Sequence, residues 1–280
     1  MKPNTVHPTR LEYLEVSQHV RLHVRDWGQG QPIVLIPGWP FSNDMYDYQM
    51  TELAEKGFRA ISISLRGFGK SDKPWGAYNY DVYADDLKNV MEQLDLSGVT
   101  LCGHSMGGAI AIRYMSRHKE SHVSKLALFG AAAPVWTKRD DYPYGTEKSD
   151  VDLFIKAVDQ DRPQLLSNVG KKFGFSQTSL NPGLWSWLQS IAMKASPYAT
   201  AQSLIALRDT DLRSELPSIS VPTAIFHSEK DKICPFEFAK EMSKKIKNSK
   251  IIRFEKSGHA LFVEEKEKFN EELIRFATEG

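Results

Sequence analysis

Gly103-His-Ser-Met-Gly107 sets a serine between glycines, directly after an apolar stretch and directly before a helix-like one. A sharp strand-to-helix turn demands small residues on either side, because neighbouring backbone comes too close for a Cβ. Such a turn holds the Ser105 hydroxyl clear of the main chain in a strained conformation. It also starts a helix whose free N–H groups and positive dipole end face any anion formed there. A serine hydroxyl is a poor nucleophile at neutral pH. It needs an adjacent base, and the base needs a group that holds its tautomer.

Working residues in sheets of alternating strands and helices sit in loops at the carboxyl ends of strands. That rule screens the eight histidines. His259, in Lys256-Ser-Gly-His-Ala-Leu261, falls between the last strand and the last helix and is the predicted base. His104 adjoins the serine but points elsewhere on the elbow. His19 and His23 fall in an opening hairpin, His7 in the N-terminal tail, and His227 at a strand end as a packed residue. His118 and His122 have the i,i+4 spacing of two metal ligands, but no third ligand stands near them, so no metal is expected. For the orienting acid, Asp231 is preferred to Glu229, because Pro235 opens the next helix and leaves Asp231 at the apex of the turn. The chain order Ser105, Asp231, His259 is the one expected with a nucleophile elbow. The oxyanion donors are expected to be the backbone N–H groups of Met106 and of Trp39. In Ile36-Pro-Gly-Trp-Pro40, Gly38 permits close approach and Pro40 cannot donate.

Two glycine-rich stretches imitate nucleotide sites and fail. Gly69-Lys70-Ser71 would need its first glycine at Ser64 and leads into Asp-Lys-Pro rather than a helix. Gly28 and Gly30 have Ile33 where a dinucleotide fingerprint has its third glycine. No cofactor is expected.

The elements that must carry these residues alternate. Leu11 to Trp27 reads as an antiparallel hairpin, and Ile33 to Ile36 as a fully buried strand. A helix from Asp44 to Lys56, stopped by Gly57, and a strand from Arg59 to Leu65 follow. Then come a helix over Tyr80 to Leu94, a strand over Val99 to Cys102, a helix over Met106 to Arg117 and a strand over Val123 to Phe129. From Pro134 to Leu212 the rhythm breaks into helix-like pieces rich in aromatics: Trp136, Tyr142, Tyr144, Phe154, Phe173, Phe175, Trp185, Trp187 and Tyr198. It resumes with the strand Val221 to His227, a helix near Phe236 to Ile246, the strand Lys250 to Phe254 and a helix near Glu264 to Ala277. The expected fold is α/β, a mostly parallel twisted sheet with helices on both faces. Residues 1–133 and 213–280 form its core domain, and 134–212 a helical cap inserted in it. The cap aromatics Trp136, Trp185 and Trp187, with Trp39 and Phe41, are expected to line an apolar acyl or aryl pocket.

The chain's 280 residues, 41% hydrophobic, suit a sizeable core. A formal net charge of +1 excludes electrostatic capture of nucleic acid or of a membrane surface. Lys244, Lys245, Lys247 and Lys250 alternate with apolar positions as a solvated helix face does. Two cysteines, Cys102 and Cys234, make no disulfide framework and point to a reducing compartment. No apolar signal core opens the chain, and the longest near-apolar run, Leu126 to Trp136, is far shorter than the roughly 18 residues of a membrane helix. The expectation is a soluble, cytoplasmic protein. No oligomeric state is assigned.

Beyond the elbow, the blocks Pro-Gly-Trp-Pro-Phe-Ser-Asn-Asp-Met45, Arg-Gly-Phe-Gly-Lys-Ser71, Tyr-Ala-Asp-Asp-Leu87 and Val-Pro-Thr-Ala-Ile-Phe-His227 resemble the α/β-hydrolases nearly end to end. They look most like the bacterial cofactor-free haloperoxidase and aryl-esterase (perhydrolase) branch. The resemblance implies a serine esterase with a helical cap whose partner is a small-molecule ester substrate, hydrolysing small esters and forming peracids from carboxylic acids and peroxide as a side activity. Lactones, amides or C–C bonds flanked by carbonyls are alternative substrates of the same three residues, and a non-enzymatic ligand receptor is a further reading of the fold. Epoxide and haloalkane hydrolysis are disfavoured, because they use an aspartate in this fold where Ser105 stands. Two positions depart from the branch: Pro37 replaces its usual histidine before Gly38, and Ser64 its usual aspartate before the Arg-Gly turn.

Overall fold

The computed structural model describes residues 10–176 and 179–279. In chain order the elements are β1 (Tyr13–Ser17), β2 (Val20–Gly28), β3 (Pro32–Ile36), α1 (Asp47–Glu55), β4 (Arg59–Ile63), α2 (Tyr80–Gln93), β5 (Val99–His104), α3 (Met106–Arg117) and β6 (Val123–Phe129). There follow α4 (Lys148–Gly170), α5 (Pro182–Ala192), α6 (Pro197–Asp209), β7 (Thr223–Ser228), α7 (Phe236–Lys245), β8 (Ser249–Phe254), α8 (Leu261–Glu264) and α9 (Lys266–Thr278). The eight strands form one sheet in the order β1-β2-β4-β3-β5-β6-β7-β8. The β1–β2 and β2–β4 pairings are antiparallel, and every pairing from β4 through β3 to β8 is parallel.

The inner strands read as unbroken apolar runs because both faces are covered. On β3, Val34 and Ile36 turn to one side, where Leu87 and Val90 of α2, Ala109 and Ile112 of α3, and Phe238 and Met242 of α7 pack. Ile33 and Leu35 turn to the other, against Met50 and Leu53 of α1 and Phe269 and Leu273 of α9. This is the two-residue period of a pleated strand read out as two cores.

The segment between β6 and β7 holds α4, α5 and α6. α4 is bent: Asp161 leaves helical geometry (φ −156°, ψ 76°) two residues before Pro163. Proline has no N–H to donate and its ring crowds the preceding turn. The Asp161 carboxylate accepts the Gln164 N–H at 3.0 Å and restarts the helix beyond the break. The expected C-terminal helix begins as α8, with α9 following after Glu265. Among the described residues no helix is long and apolar enough to cross a membrane.

Candidate active site

β5 ends at His104 and α3 begins at Met106, so the whole reversal falls on Ser105, which takes φ 52° and ψ −118°. A non-glycine residue held there stores strain of about 1–3 kcal/mol, and such strain persists only where the surroundings impose it. They do so here. A Cβ at Gly103 would lie 2.3 Å from the Gly107 carbonyl oxygen, and one at Gly107 would lie 2.4 Å from that of Ile36. Glycine on both sides of the serine is therefore a packing requirement. Ser105 also accepts the N–H groups of Gly108, Ala109 and Ala132 on its carbonyl, which locks the elbow between α3 and the loop after β6.

His259 and Asp231 meet at the carboxyl ends of β8 and β7. His259 Nδ1 lies 2.7 Å from Asp231 Oδ2, and both side chains are buried. The other carboxylate oxygen, Oδ1, accepts the N–H groups of Ile233 and Cys234, each at 2.8 Å. Burial alone pushes the Asp231 carboxyl up. The charge and hydrogen bond of His259, the nearby His227 and the Cys234 N–H outweigh it and hold the group below its ordinary value. The ionised acid is thus built in. Glu229 points elsewhere, to Arg253 at 3.4 Å. Ser105 and His259 line one cavity, but no hydrogen bond joins their side chains among the described residues. Such bonds are commonly long without substrate and tighten when it binds.

Two further histidines hold these loops in place. His104 Nε2 donates to the His259 carbonyl oxygen at 2.9 Å, and its ring centroid is 4.6 Å from that of His259. His227 Nε2 donates to the Cys234 carbonyl oxygen at 2.8 Å, closing the turn that carries Asp231. The sequence places both at strand ends; which carbonyl each would find depends on chain segments far away. His118 and His122 do not share a helix face. α3 ends before them, His118 sits 3.0 Å from Asp85, and His122 bonds the Leu96 carbonyl.

The loop after β3 packs directly on Ser105: a Cβ at Gly38 would fall 2.8 Å from Ser105 Cβ and 2.7 Å from His104 Nδ1. Where the related branch has a histidine, Pro37 stands here, and other groups fix the loop. Tyr46 donates its hydroxyl to the Ile36 carbonyl at 2.9 Å, Phe41 N–H donates to Gly38 O at 2.8 Å, and Trp39 Nε1 donates to Thr200 O at 3.1 Å on α6. Ser64 sits in a buried knot: its hydroxyl donates to Asn43 Oδ1 at 2.7 Å, and Asn43 Nδ2 reaches the carbonyls of His23 and Ser62. It braces the loop from behind and does not line the cavity.

The cavity, about 570 Å³, is lined by Trp39, Phe41, Trp136, Trp185, Phe173 and Ile233 as well as by Ser105 and His259. Trp187 is the exception among the expected pocket residues. Two positions after Trp185 on α5, it faces the opposite side of the helix, where its ring meets Tyr48 edge-on at 5.8 Å. Phe173, not singled out in the sequence from the other cap aromatics, packs edge-on against the His259 ring at 5.3 Å and tilted against Phe41 at 5.2 Å. No group of three or more His, Cys, Asp or Glu among the described residues could hold a metal ion.

Burial, with His259 adding to it, lowers His104 from its ordinary 6.5 to about 3. The folded chain therefore keeps His104 neutral at pH values where the unfolded chain protonates it. Between about 6.5 and 3 the unfolded state binds more protons, so folding stability falls with falling pH across that window and is indifferent to this group above it. Urea unfolding of wild type is expected to weaken from pH 7 to pH 4, and His104→Gln to flatten part of that slope. An unchanged slope in the variant would contradict the assignment.

Residues 31–266 match the alpha/beta hydrolase fold family. The chain is 49% identical over 266 residues to the AB hydrolase superfamily protein YisY of Bacillus subtilis, covering 95% of this chain and 98% of that one. Among solved structures it is similar to an esterase from Exiguobacterium antarcticum (47% identity, TM-score 0.91, 93% of this chain and 96% of that chain). It is also similar to a bromoperoxidase from Bacillus anthracis (34% identity, TM-score 0.92, 95% and 99%). With its eight-stranded sheet, its glycine-flanked elbow and these relatives, the chain belongs to the α/β-hydrolase family, in the company of esterases and non-heme haloperoxidases.

Proposed function

We propose that the protein hydrolyses small carboxylic esters through an acyl-enzyme on Ser105. The observation that carries this reading is the 2.7 Å His259–Asp231 pair opening onto the same cavity as a serine on a strained elbow. Ser105 Oγ attacks the acyl carbon while His259 Nε2 takes its proton. Asp231, bonded to Nδ1, keeps that proton acceptor facing the serine and stabilises the imidazolium. The tetrahedral oxyanion is received by the N–H groups of Met106 and Trp39. α3 leaves its first N–H groups without a helical acceptor, and Gly38 lets the Trp39 loop sit against the serine. Collapse of the intermediate returns the proton from His259 to the leaving alcohol. Water, losing its proton to His259, then releases the acid and restores Ser105. Hydrogen peroxide in place of that water gives the peracid from the same acyl-enzyme.

The aromatic and aliphatic lining supports an apolar acyl or aryl group as the portion buried next to the serine. Cys102 and Cys234 are both free and buried, which supports a reducing, cytoplasmic setting. A panel of p-nitrophenyl esters, lactones, amides and peracid assays, ranked by kcat/KM, tests the reading. Esters are expected to lead. Lactones or amides ahead by tenfold or more would move the substrate class, and no turnover of any acyl compound would overturn it.

A further inference from the structure

Glu264, the last residue of α8, lies outside the cavity lining and outside the three residues assigned to the chemistry. Its carboxylate joins two segments far apart in the chain. Oε2 accepts the Gly258 N–H at 2.7 Å, immediately before His259, and Oε1 accepts the Phe175 N–H at 2.7 Å, in the loop between α4 and α5. The two segments are in contact at the backbone as well. The Ala260 N–H donates to the Phe173 carbonyl at 3.0 Å, and a Cβ at Gly258 would lie 2.5 Å from the Gly174 carbonyl carbon. A Cβ at Gly174 would in turn lie 3.2 Å from Glu264 Oε1, so the carboxylate seats against a bare backbone. Glu265, the next residue, accepts the Lys256 N–H at 3.0 Å and the Ser257 hydroxyl at 2.8 Å. The loop carrying His259 is thus tied at Lys256 and Ser257 by Glu265, at the Ser257 carbonyl by the Ser228 hydroxyl and at the His259 carbonyl by His104, while its Gly258 N–H is held by a carboxylate shared with the segment that carries Phe173.

We infer that Glu264 is a positioning residue that fixes the His259 loop and the Phe173 wall of the acyl pocket to one another, so that the base and the pocket are set by the same carboxylate. This rests on the ester-hydrolase reading. A carboxylate with its two oxygens on two N–H donors has no neutral substitute. Glutamine offers one acceptor oxygen, and its NH₂ would face the second donor. The amide cannot hold both donors, and with the shared negative charge gone both segments are loosened. Release of Gly258 lets His259 drift, and displacements of about 1 Å at a catalytic group cost up to about 10²-fold. Release of Phe175 loosens Phe173, which only an acyl chain long enough to reach it would register.

The test is Glu264→Gln, with kcat and KM measured on p-nitrophenyl acetate and p-nitrophenyl hexanoate. Circular dichroism serves as the check of folding. The expected result is a folded protein with kcat lowered about 10- to 100-fold on both esters, and KM raised several-fold on the hexanoate but not on the acetate. A role confined to stability would lower the melting temperature and leave both constants unchanged at 25 °C; that result overturns the inference. So does a KM raised equally on both esters with kcat intact. Should Glu264→Gln not fold, Gly258→Ala, which forces the two backbones apart while leaving the carboxylate in place, is expected to give the same kcat and KM pattern; wild-type constants there overturn it. Fluorophosphonate labelling of wild type separates the two levels. Absence of an adduct at Ser105 sinks the hydrolase reading, whereas an adduct together with wild-type kinetics in Glu264→Gln sinks only the role of Glu264.

Discussion

Ser105→Ala is expected to lower kcat on short p-nitrophenyl esters by about 10⁴-fold or more, with KM nearly unchanged and the fold intact. The acyl-enzyme route needs a covalent bond to Oγ, so removing that atom removes both half-reactions. What survives is water attack on an ester still held by the cavity and by the two N–H groups at the start of α3 and in the Trp39 loop. The variant should fold well, since the backbone bonds that lock the elbow, from the Ser105 N–H to Phe129 O and from three N–H groups to the Ser105 carbonyl, are all kept by alanine. Relief of a positive φ is not at issue, because alanine carries the same Cβ. A fluorophosphonate probe should label wild type at one site and the variant not at all. Wild-type turnover by Ser105→Ala would transfer the chemistry to another residue and dismantle the mechanism.

Asp231→Asn is expected to be nearly as damaging, about 10⁴-fold in kcat by analogy with the amidated orienting aspartate of serine proteases. The reason lies in the two N–H groups of Ile233 and Cys234, which both point at Oδ1. An asparagine must keep its carbonyl oxygen there, because its NH₂ would clash donor to donor. The NH₂ then faces His259 Nδ1, which can only accept from it, so the imidazole carries its proton on Nε2 and presents a donor to Ser105. The base is present, correctly placed and in the wrong tautomer. Raising the pH should not restore it. Asp231→Asn with kcat within tenfold of wild type would mean that the carboxylate does not set the tautomer, and that His227, 3.9 Å from Oδ2, or another group does.

Much of this arrangement was legible in the residues. Ile33 to Ile36 and Val99 to Cys102 read as buried parallel strands, and they stand side by side at the sheet's centre. Asp231 over Glu229 followed from turn chemistry alone, and the turn carries Asp231 to His259. Local rules work there because each residue's position is decided within a few neighbours. Trp187 misled for a related reason: composition counts it with Trp185, while helix geometry turns the two apart.

By itself, then, the sequence determined the elbow, the order of its partners along the chain and the alternation that stacks strand ends into one edge. These depend on backbone sterics, on the period of a strand and on the reach of a turn, all of which are local. The tertiary structure alone decided that His104 would find the His259 carbonyl, that Tyr46 would brace a loop beginning with Pro37, and that Glu264 would span Gly258 and Phe175. Each of those bonds pairs a side chain with a backbone group, and a backbone group has no signature in the sequence of residues that supplies it.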